Sequence, residues 1–547
     1  MSKMKKKIAG MTVAGAVALG SLGFTGNNEP IDAKAKKKEP ENVIMLVMDG
    51  TSAGATSLAR WYKGEDLAMD EIMAGGVRTY SAESAITDSA PAATALATGQ
   101  KSNDKFVGVL PEVVNSPGVD KLEGEDAHRP VANVLEGAQE HGKATGIIST
   151  SEIQHATPAG FSSHVTHRSN YGDIAEQQVY QEIDVVLGGG KESLSSDNRK
   201  DGENLLKVIE EKEYDLVENR DELLNSKSDK IWGSFAPSAL LYDFDRQATE
   251  NNEPSIRDMT KKAIDTLSKD EDGFFLFVEG SKPDWAAHAN DTIGIISDVL
   301  AFDAAVEEAL EFAKEDGNTM VIAVSDHGNS GITMGNANTS GNYSHIPVSD
   351  YIDPLKKAKM TLEGALNQLK PDRSNIKQVA ELYGLDNLSD EQAASLKNSS
   401  TLSKDMASML AGRANIGFTT GGHTGEDVFL YSYGPERPEG LIDNTEIAKS
   451  MAGFLGFELE QMTDMLFVNA QNEFERKGYK TKIDTTDVNN PVFIAEKGKK
   501  TIKIPANKNL ATVTNNKKTS TKILSGVSVY NGKDFFVSQD AVKFSGK

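Results

Sequence analysis

The sequence predicts an α/β fold: a three-layer sandwich with a largely parallel central sheet, an inserted cap region and a small C-terminal β module. Three observations carry the prediction. From Asn42 onward, apolar β-rich runs alternate with helical patterns, as in strands joined by crossover helices. Several of these runs are apolar at every position, as strands covered on both faces are. Beyond about Lys480, short alternating segments gather around turn signals, the pattern of a small β unit.

The candidate strands span 42–48, 143–150, 183–187, 274–279, 319–325 and 427–434. Between them, "RPVANVLEGAQEHG" places Pro130 at a helix start and Gly142 at its end, and "DNTEIAKSMAGFLG" offers Asn444 or Thr445 as N-cap. Residues 329–422 interrupt the rhythm. They begin Gly/Asn/Ser-rich and continue as polar helical sequence, which reads as a cap inserted between two core elements. The tail, residues 481–547, holds "PVFIAEKGKKTIKIP" and "GVSVYNGKDFFVS", the second with an Asn531-Gly532 turn, and is basic against an acidic core. No fixed-period repeat is present.

At the N-terminus, "MSKMKKK" is a basic leader, "IAGMTVAGAVALGSLGF" an apolar stretch with four glycines, and Ala33-Lys34-Ala35 a small-residue cleavage site. Residues 1–35 are therefore expected to be a secretory signal peptide, leaving a chain from residue 36 without a transmembrane anchor. The expected location is secreted, extracellular or cell-wall associated. The chain carries 58 basic and 81 acidic side chains; without five lysines, Glu29 and Asp32, 53 face 79, a net charge of −26. An exported chain this acidic is a poor nonspecific nucleic-acid binder, because such binding needs Lys and Arg against phosphates. There is no cysteine, so disulfides and thiolate metal sites are excluded. Any metal must be held by His, Asp, Glu and hydroxyls.

Three apolar strands end in acids, at the carboxyl edge where a parallel sheet places its ligands: "VIMLVMDG" in Asp49, "FFLFVEG" in Glu279, and "VIAVSDHG" in Asp326 and His327. One such acid is an ordinary helix cap; three gather negative charge that calls for a cation. "EGSKPDWAAHAND" adds Asp284 and His288, which share a face if Pro283 opens a helix. "GGHTGED" adds His423 in a glycine-rich turn. Imidazole with carboxylate suits Zn²⁺, whereas carboxylate, hydroxyl and water suit Mg²⁺.

Ser89, in "SAITDSAPAATALATGQ", stands at or near the start of a helix, where free N–H groups and the macrodipole favour an anion. A plain N-cap serine explains that stretch equally well. No G-x-S-x-G elbow exists, so an acyl-transfer triad has little support. A serine beside a metal is activated by coordination and needs no histidine base. "TGQKS" lacks the glycines of a Walker A loop, and "LGGGKES" reads as a tight turn after a strand.

Together these motifs resemble the alkaline phosphatase family. "MDG", "TDSAPAATALATG", "STSEIQHATPAGFSSHVTHR", "DVVLGGG", "FLFVEGSKPDWAAH", "SDHG" and "HTG" stand in the family's order over roughly residues 41 to 456. The resemblance implies a secreted phosphomonoesterase with residues 36–480 as its catalytic domain. It implies Ser89 as the phosphorylated nucleophile and Arg168 as the phosphate clamp, a role suited to its bidentate fork. One Zn²⁺ would take Asp284, His288 and His423, and a second would take Asp49, Asp326 and His327 beside Ser89. One Mg²⁺ would take Asp49, Thr157 and Glu279. Thr157 and Arg168 follow from the resemblance alone.

His155 stands where some relatives carry Asp, and Trp285 where some carry Lys or His; both lie beside the implied ligands and bear on the third metal. The implied reaction on phosphate monoesters is two in-line displacements with net retention at phosphorus. A homodimer is allowed. Two rivals are a relative acting on phosphodiesters or sulfate esters, and a noncatalytic surface protein whose tail binds cell-wall polymer. The tail lies outside the resemblance.

Overall fold

The computed structural model describes residues 41–121 and 126–544; the expected signal peptide lies outside them. The central sheet has ten strands: β1 (Asn42–Met48), β2 (Met73–Arg78), β3 (Ala144–Glu152), β4 (Val185–Gly189), β5 (Asp215–Val217), β6 (Ile231–Ser234), β7 (Phe274–Gly280), β8 (Thr319–Val324), β9 (Val428–Tyr433) and β10 (Gly440–Asp443). Their order across the sheet is β10-β2-β9-β8-β1-β7-β3-β4-β6-β5. Neighbours are parallel except at β9, which runs antiparallel to both β2 and β8.

The central strands are apolar throughout because both faces are covered. In β1, Ile44, Leu46 and Met48 join a core with helices Ile256–Leu267 and Thr292–Asp316. Val43, Met45 and Val47 join the opposite core with helices Val134–Glu140 and Asn444–Leu455. Each fully buried aliphatic side chain of this kind contributes about 1.5–3 kcal/mol.

Because β1, β3, β7 and β8 are parallel, their carboxyl ends share one rim. The residues just beyond β1, β3 and β8, together with Glu279 near the end of β7, therefore converge. β2 is parallel to these strands, so the loop after it delivers Ser89 to the same rim. β9 runs the other way, so its amino end, preceded by His423, faces that rim too.

The six expected strands correspond to β1, β3, β4, β7, β8 and β9. Both helix-start expectations need correction. Pro130 sits in an isolated β-bridge with Val109, and the helix begins after Asn133, whose side chain accepts from Glu136 N while Glu136 closes a capping box. Asp443, rather than Asn444 or Thr445, caps the later helix and pairs with Glu446 in the same way. In each case a carboxylate or amide one position outside the periodic segment wins the cap. Pro283 is the second residue of helix Lys282–His288, as expected.

Residues 329–422 leave the sheet after β8 and return before β9. Two short antiparallel pairings stitch their ends together: Gly328–Asn329 with His423–Thr424, and Thr333–Met334 with Ile416–Gly417. The intervening helices pack on the core through buried polar caps. Asp245 accepts from Thr361 N at 2.8 Å and Oγ1 at 2.6 Å, and Asp291 accepts from Leu362 N at 2.9 Å.

The tail forms a five-stranded antiparallel meander: β11 (Lys480–Asp484), β12 (Val492–Lys497), β13 (Lys500–Pro505), β14 (Leu510–Asn515) and β15 (Lys518–Ile523). Its core of Phe493, Ile502, Ile504 and Val513 also takes Phe474 from the preceding helix Ala470–Arg476. The "GVSVYNGKDFFVS" hairpin pairs with Val468–Asn469 instead of the meander. Among the described residues, no helix is long and apolar enough to cross a membrane.

Candidate active site

Three histidines reach the rim from three different elements. Each has Nδ1 beside a backbone carbonyl: His288 with Gly421 O at 2.9 Å, His423 with Thr87 O at 2.8 Å, and His327 with Gly328 O at 3.2 Å. Nδ1–H therefore donates in each, which fixes the tautomer and leaves the Nε2 lone pair facing the rim. The Nε2 atoms of His288 and His423 approach to 3.1 Å, and the His327 and His423 rings stack at 3.7 Å. Burial lowers the His327 pKa to about 3, so its imidazole is neutral. Two facing lone pairs need something positive between them.

Asp284 lies 3.4 Å from His288 Nε2 and 3.6 Å from His423 Nε2, while Asn329 Nδ2 donates to its Oδ1 at 2.7 Å. His327 Nε2 lies 3.5 Å from Asp49 and 3.3 Å from Asp326. Gly50 N and His327 N donate to Asp326 Oδ1 at 3.1 and 3.0 Å. Gly50 has φ +63°, and a Cβ there would lie 2.3 Å from Asp284 Oδ1, so only glycine fits between these two acids.

Glu279, beside Asp49, accepts from Ser149 Oγ at 2.6 Å. Burial pushes its pKa up to about 7, against the hydroxyls of Ser149, Ser281 and Thr157. Burial, then the charges of Asp326, Asp284 and Glu279, pushes Asp49 well above the usual carboxylate range. Burial likewise raises Asp326. Both oxygens of Asp49, Oε1 of Glu279 and Oδ2 of Asp326 are buried without a hydrogen-bond donor.

Donor atoms of three sets lie within 4.8 Å of one another: Asp284, His288 and His423; Asp49, Asp284 and His327; and Asp49, His155 and Glu279. Undonated acid oxygens facing neutral imidazole lone pairs are complementary to divalent cations. The residues present thus fit divalent metal cations. The sets differ from expectation in three respects: Asp284 stands between the first two groups, Asp326 is not part of the second, and His155 offers a nitrogen to the third.

Ser89 is the first residue of helix Ser89–Thr98, with Asp88 as its N-cap, so it is not itself the cap. Its buried Oγ lies 3.1 Å from His327 Nε2. Arg168 Nη1 donates to Asp88 Oδ2 at 2.6 Å, and Nη2 donates to His155 Nε2 at 2.9 Å. Burial raises the Asp88 pKa, but the charge and hydrogen bond of Arg168 outweigh it and hold the carboxyl below its usual range. Burial, then Arg168, lowers His155 to about 3, which suits its role as acceptor.

Trp285 packs edge-on against His155 with ring centroids 5.8 Å apart, and the buried Lys282 Nζ lies 4.3 Å from the Trp285 ring. All of the expected residues therefore gather on one rim, with Thr157 in the short helix Ala156–Gly160 after β3. Sequence reasoning passed over Asp88, Ser149, Asn329 and Lys282. Asp88, Ser149 and Lys282 stood inside quoted motifs, whereas nothing local marks Asn329.

A mostly parallel sheet with Ser89, Arg168 and acid–imidazole clusters gathered on its carboxyl rim places the chain among α/β proteins whose candidate site lies at the strand ends. The alkaline phosphatase family model matches residues 40–457, and the chain belongs to that family. It is 37% identical over 490 residues to alkaline phosphatase 3 of Bacillus subtilis (strain 168), a match covering 84% of this chain and 99% of that one. The crystal structure of Thermus thermophilus alkaline phosphatase matches with a TM-score of 0.67 at 27% identity, covering 77% of this chain and 93% of that one. A structure of the TAB5 alkaline phosphatase in which a histidine is replaced by aspartate, with Mg bound in its M3 site, matches with a TM-score of 0.55 at 25% identity, covering 77% and 100%. The chain is accordingly a phosphoric monoester hydrolase.

Proposed function

We propose that the chain is an exported alkaline phosphatase that releases inorganic phosphate from monoesters through a phosphoserine at Ser89, at a site for two Zn²⁺ and one Mg²⁺. The observation that carries this reading is Ser89 Oγ at 3.1 Å from Nε2 of His327, a nitrogen shared with two buried acids. The serine hydroxyl and the expected second-zinc ligands thus address one volume. Asp284, His288 and His423 would hold one Zn²⁺; Asp49, Asp326 and His327 the other; and Asp49, Thr157 and Glu279 the Mg²⁺. Bound there, these cations would supply Lewis acidity, lowering the cost of deprotonating hydroxyl and water and offsetting charge on the phosphoryl oxygens.

Ser89 attacks phosphorus in line as the alcohol leaves on the opposite side. The free N–H groups of helix Ser89–Thr98 face the incoming anion. Arg168 holds two phosphoryl oxygens with its fork, and its bond to Asp88, the residue before Ser89, sets clamp and nucleophile in register. Water then attacks the phosphoserine from the face the alcohol vacated, and Ser89 regains its proton, giving net retention. The exposed edge of His288, whose side chain is 44% accessible, marks where substrate enters.

Export rests on the N-terminal leader, and a homodimer remains the assembly the family resemblance allows. No nucleic-acid role or membrane anchor is assigned. Trapping with labelled phosphate at acid pH is the direct test of the nucleophile. Ser89→Ala is expected to abolish the phosphoenzyme and lower turnover by several orders of magnitude. Label on any other residue would show that the wrong serine has been chosen.

A further inference from the structure

Residues 481–547 carry twelve lysines against five acids, in a chain whose net charge is −23. One end of the meander is committed to the core. In the loop between β13 and β14, Asn507 Nδ2 donates to Glu176 Oε2 at 3.2 Å and Lys508 Nζ to Glu203 Oε2 at 2.8 Å. Successive turns of a meander alternate between ends, so the β12–β13 and β14–β15 turns lie at the opposite end.

There the register sets Lys497 opposite Lys500 and Asn515 opposite Lys518, while Lys480 at the start of β11 faces Glu496. Lys499 and Lys517 occupy the two turns. Lys480, Lys497, Lys499, Lys517 and Lys518 are exposed, and none forms an ion pair among the described residues.

This end is built at a cost to the module. Like charges directly opposite each other across a ladder are destabilising. Lys517 has φ +68° and follows Asn516 at +49°, a two-residue turn whose second position ordinarily takes glycine. Lys497 Nζ donates to the Lys477 carbonyl at 2.6 Å and Lys500 Nζ to the Phe544 carbonyl at 3.5 Å, but Glu496 is the one acid in the array. The turns Gly498-Lys499 and Asn516-Lys517 hold no apolar or aromatic side chain, so they offer neither a wedge for a bilayer nor a platform for stacked bases.

We propose that this basic end docks the enzyme on a polyol-phosphate polymer, a chain of alcohols linked by phosphodiesters with one negative charge per repeat. At a strand spacing of about 4.8 Å, Lys497 on β12 and Lys518 on β15 stand on one face about 14 Å apart, with Lys499 and Lys517 in the turns beside them, a line that a flexible polyanion can follow. The diester linkage fits the enzyme's own activity. A monoesterase removes terminal phosphates and leaves internal diesters intact, so the polymer acts as a tether and is not consumed.

The test is binding of the purified full-length enzyme to immobilised poly(glycerol phosphate) between 50 and 200 mM NaCl. With about five charges neutralised, log affinity should fall against log salt with a slope of about −3.5, roughly a hundredfold loss across that range. K497Q/K499Q/K517Q/K518Q is expected to weaken binding at 50 mM salt by at least about tenfold and to flatten the slope, with aryl phosphate hydrolysis unchanged. Should that variant misfold, charge reversal by K499E in the exposed turn must weaken binding in the same direction. Equal binding by wild type and variant, salt-independent retention, or equal or stronger binding to phosphatidylglycerol vesicles or DNA would each overturn the proposal.

Discussion

Glu279→Gln, studied with and without metal, isolates the strain that the acid cluster places on the fold. Glu279 is fully buried, with one oxygen held by Ser149 and the other without a donor. In the metal-free chain its pKa rises from 4.5 to about 7, first through burial. Between those values the folded chain keeps a proton that the unfolded chain has lost, so stability falls as pH rises through the window. At about 1.4 kcal/mol per pH unit, the loss is about 3 kcal/mol once pH exceeds 7. Glutamine keeps the shape and has no proton to lose, and it also relieves Asp49 of one repelling neighbour.

Guanidinium unfolding of both proteins, followed by far-UV circular dichroism in chelator from pH 5 to 8, reads this directly. The stability advantage of the variant should grow by about 2.5 kcal/mol across the series, since part of the loss is already present at pH 5. With Zn²⁺ and Mg²⁺ supplied, the order should reverse, because the carboxylate is then neutralised and the amide is the poorer ligand. A difference that stays flat with pH in chelator would refute the burial argument.

Chelation is expected to abolish aryl phosphate hydrolysis, and Zn²⁺ with Mg²⁺ to restore it, since the ligands are N and O donors that reload without thiol chemistry; full activity in a verified metal-free sample would contradict the site. His155→Asp should tighten the Mg²⁺ dependence of activity at fixed Zn²⁺ by on the order of tenfold, because a hard carboxylate replaces an imidazole nitrogen in the group with Asp49 and Glu279. Superimposable titrations would remove His155 from that role. Mass spectrometry of the exported protein should find an N-terminus near Lys36, and retention of Met1 would rule out the leader assignment.

The candidate ligand side chains were legible because buried parallel strands leave a local signature, an unbroken apolar run that stops at an acid. Asp49, Glu279, Asp326 and His327 all carry it, and the i, i+4 spacing of Asp284 and His288 is equally local. The short strands β2, β5, β6 and β10 carry no such mark. "MAGGVR" and "GLID" are strands because neighbours supply their hydrogen bonds, and Gly75 lies against Gly440 where a Cβ would meet backbone at 1.9 Å.

By itself, then, the sequence determined the layer architecture, the chemistry of the donors and the helix that presents Ser89, since each depends on side-chain type and short-range period. Only the tertiary structure decided which donors meet. The reversed direction of β9 and the pairing of His423–Thr424 with Gly328–Asn329 bring His423 back across the cap, 95 or so residues along the chain, to stack on His327 at 3.7 Å. Asp284 standing between two donor groups, His155 accepting from Arg168, and Arg168 paired to Asp88 are likewise long-range choices. Their physical origin is packing: contacts between residues distant in sequence are fixed by how layers close on one another, and no local period records that closure.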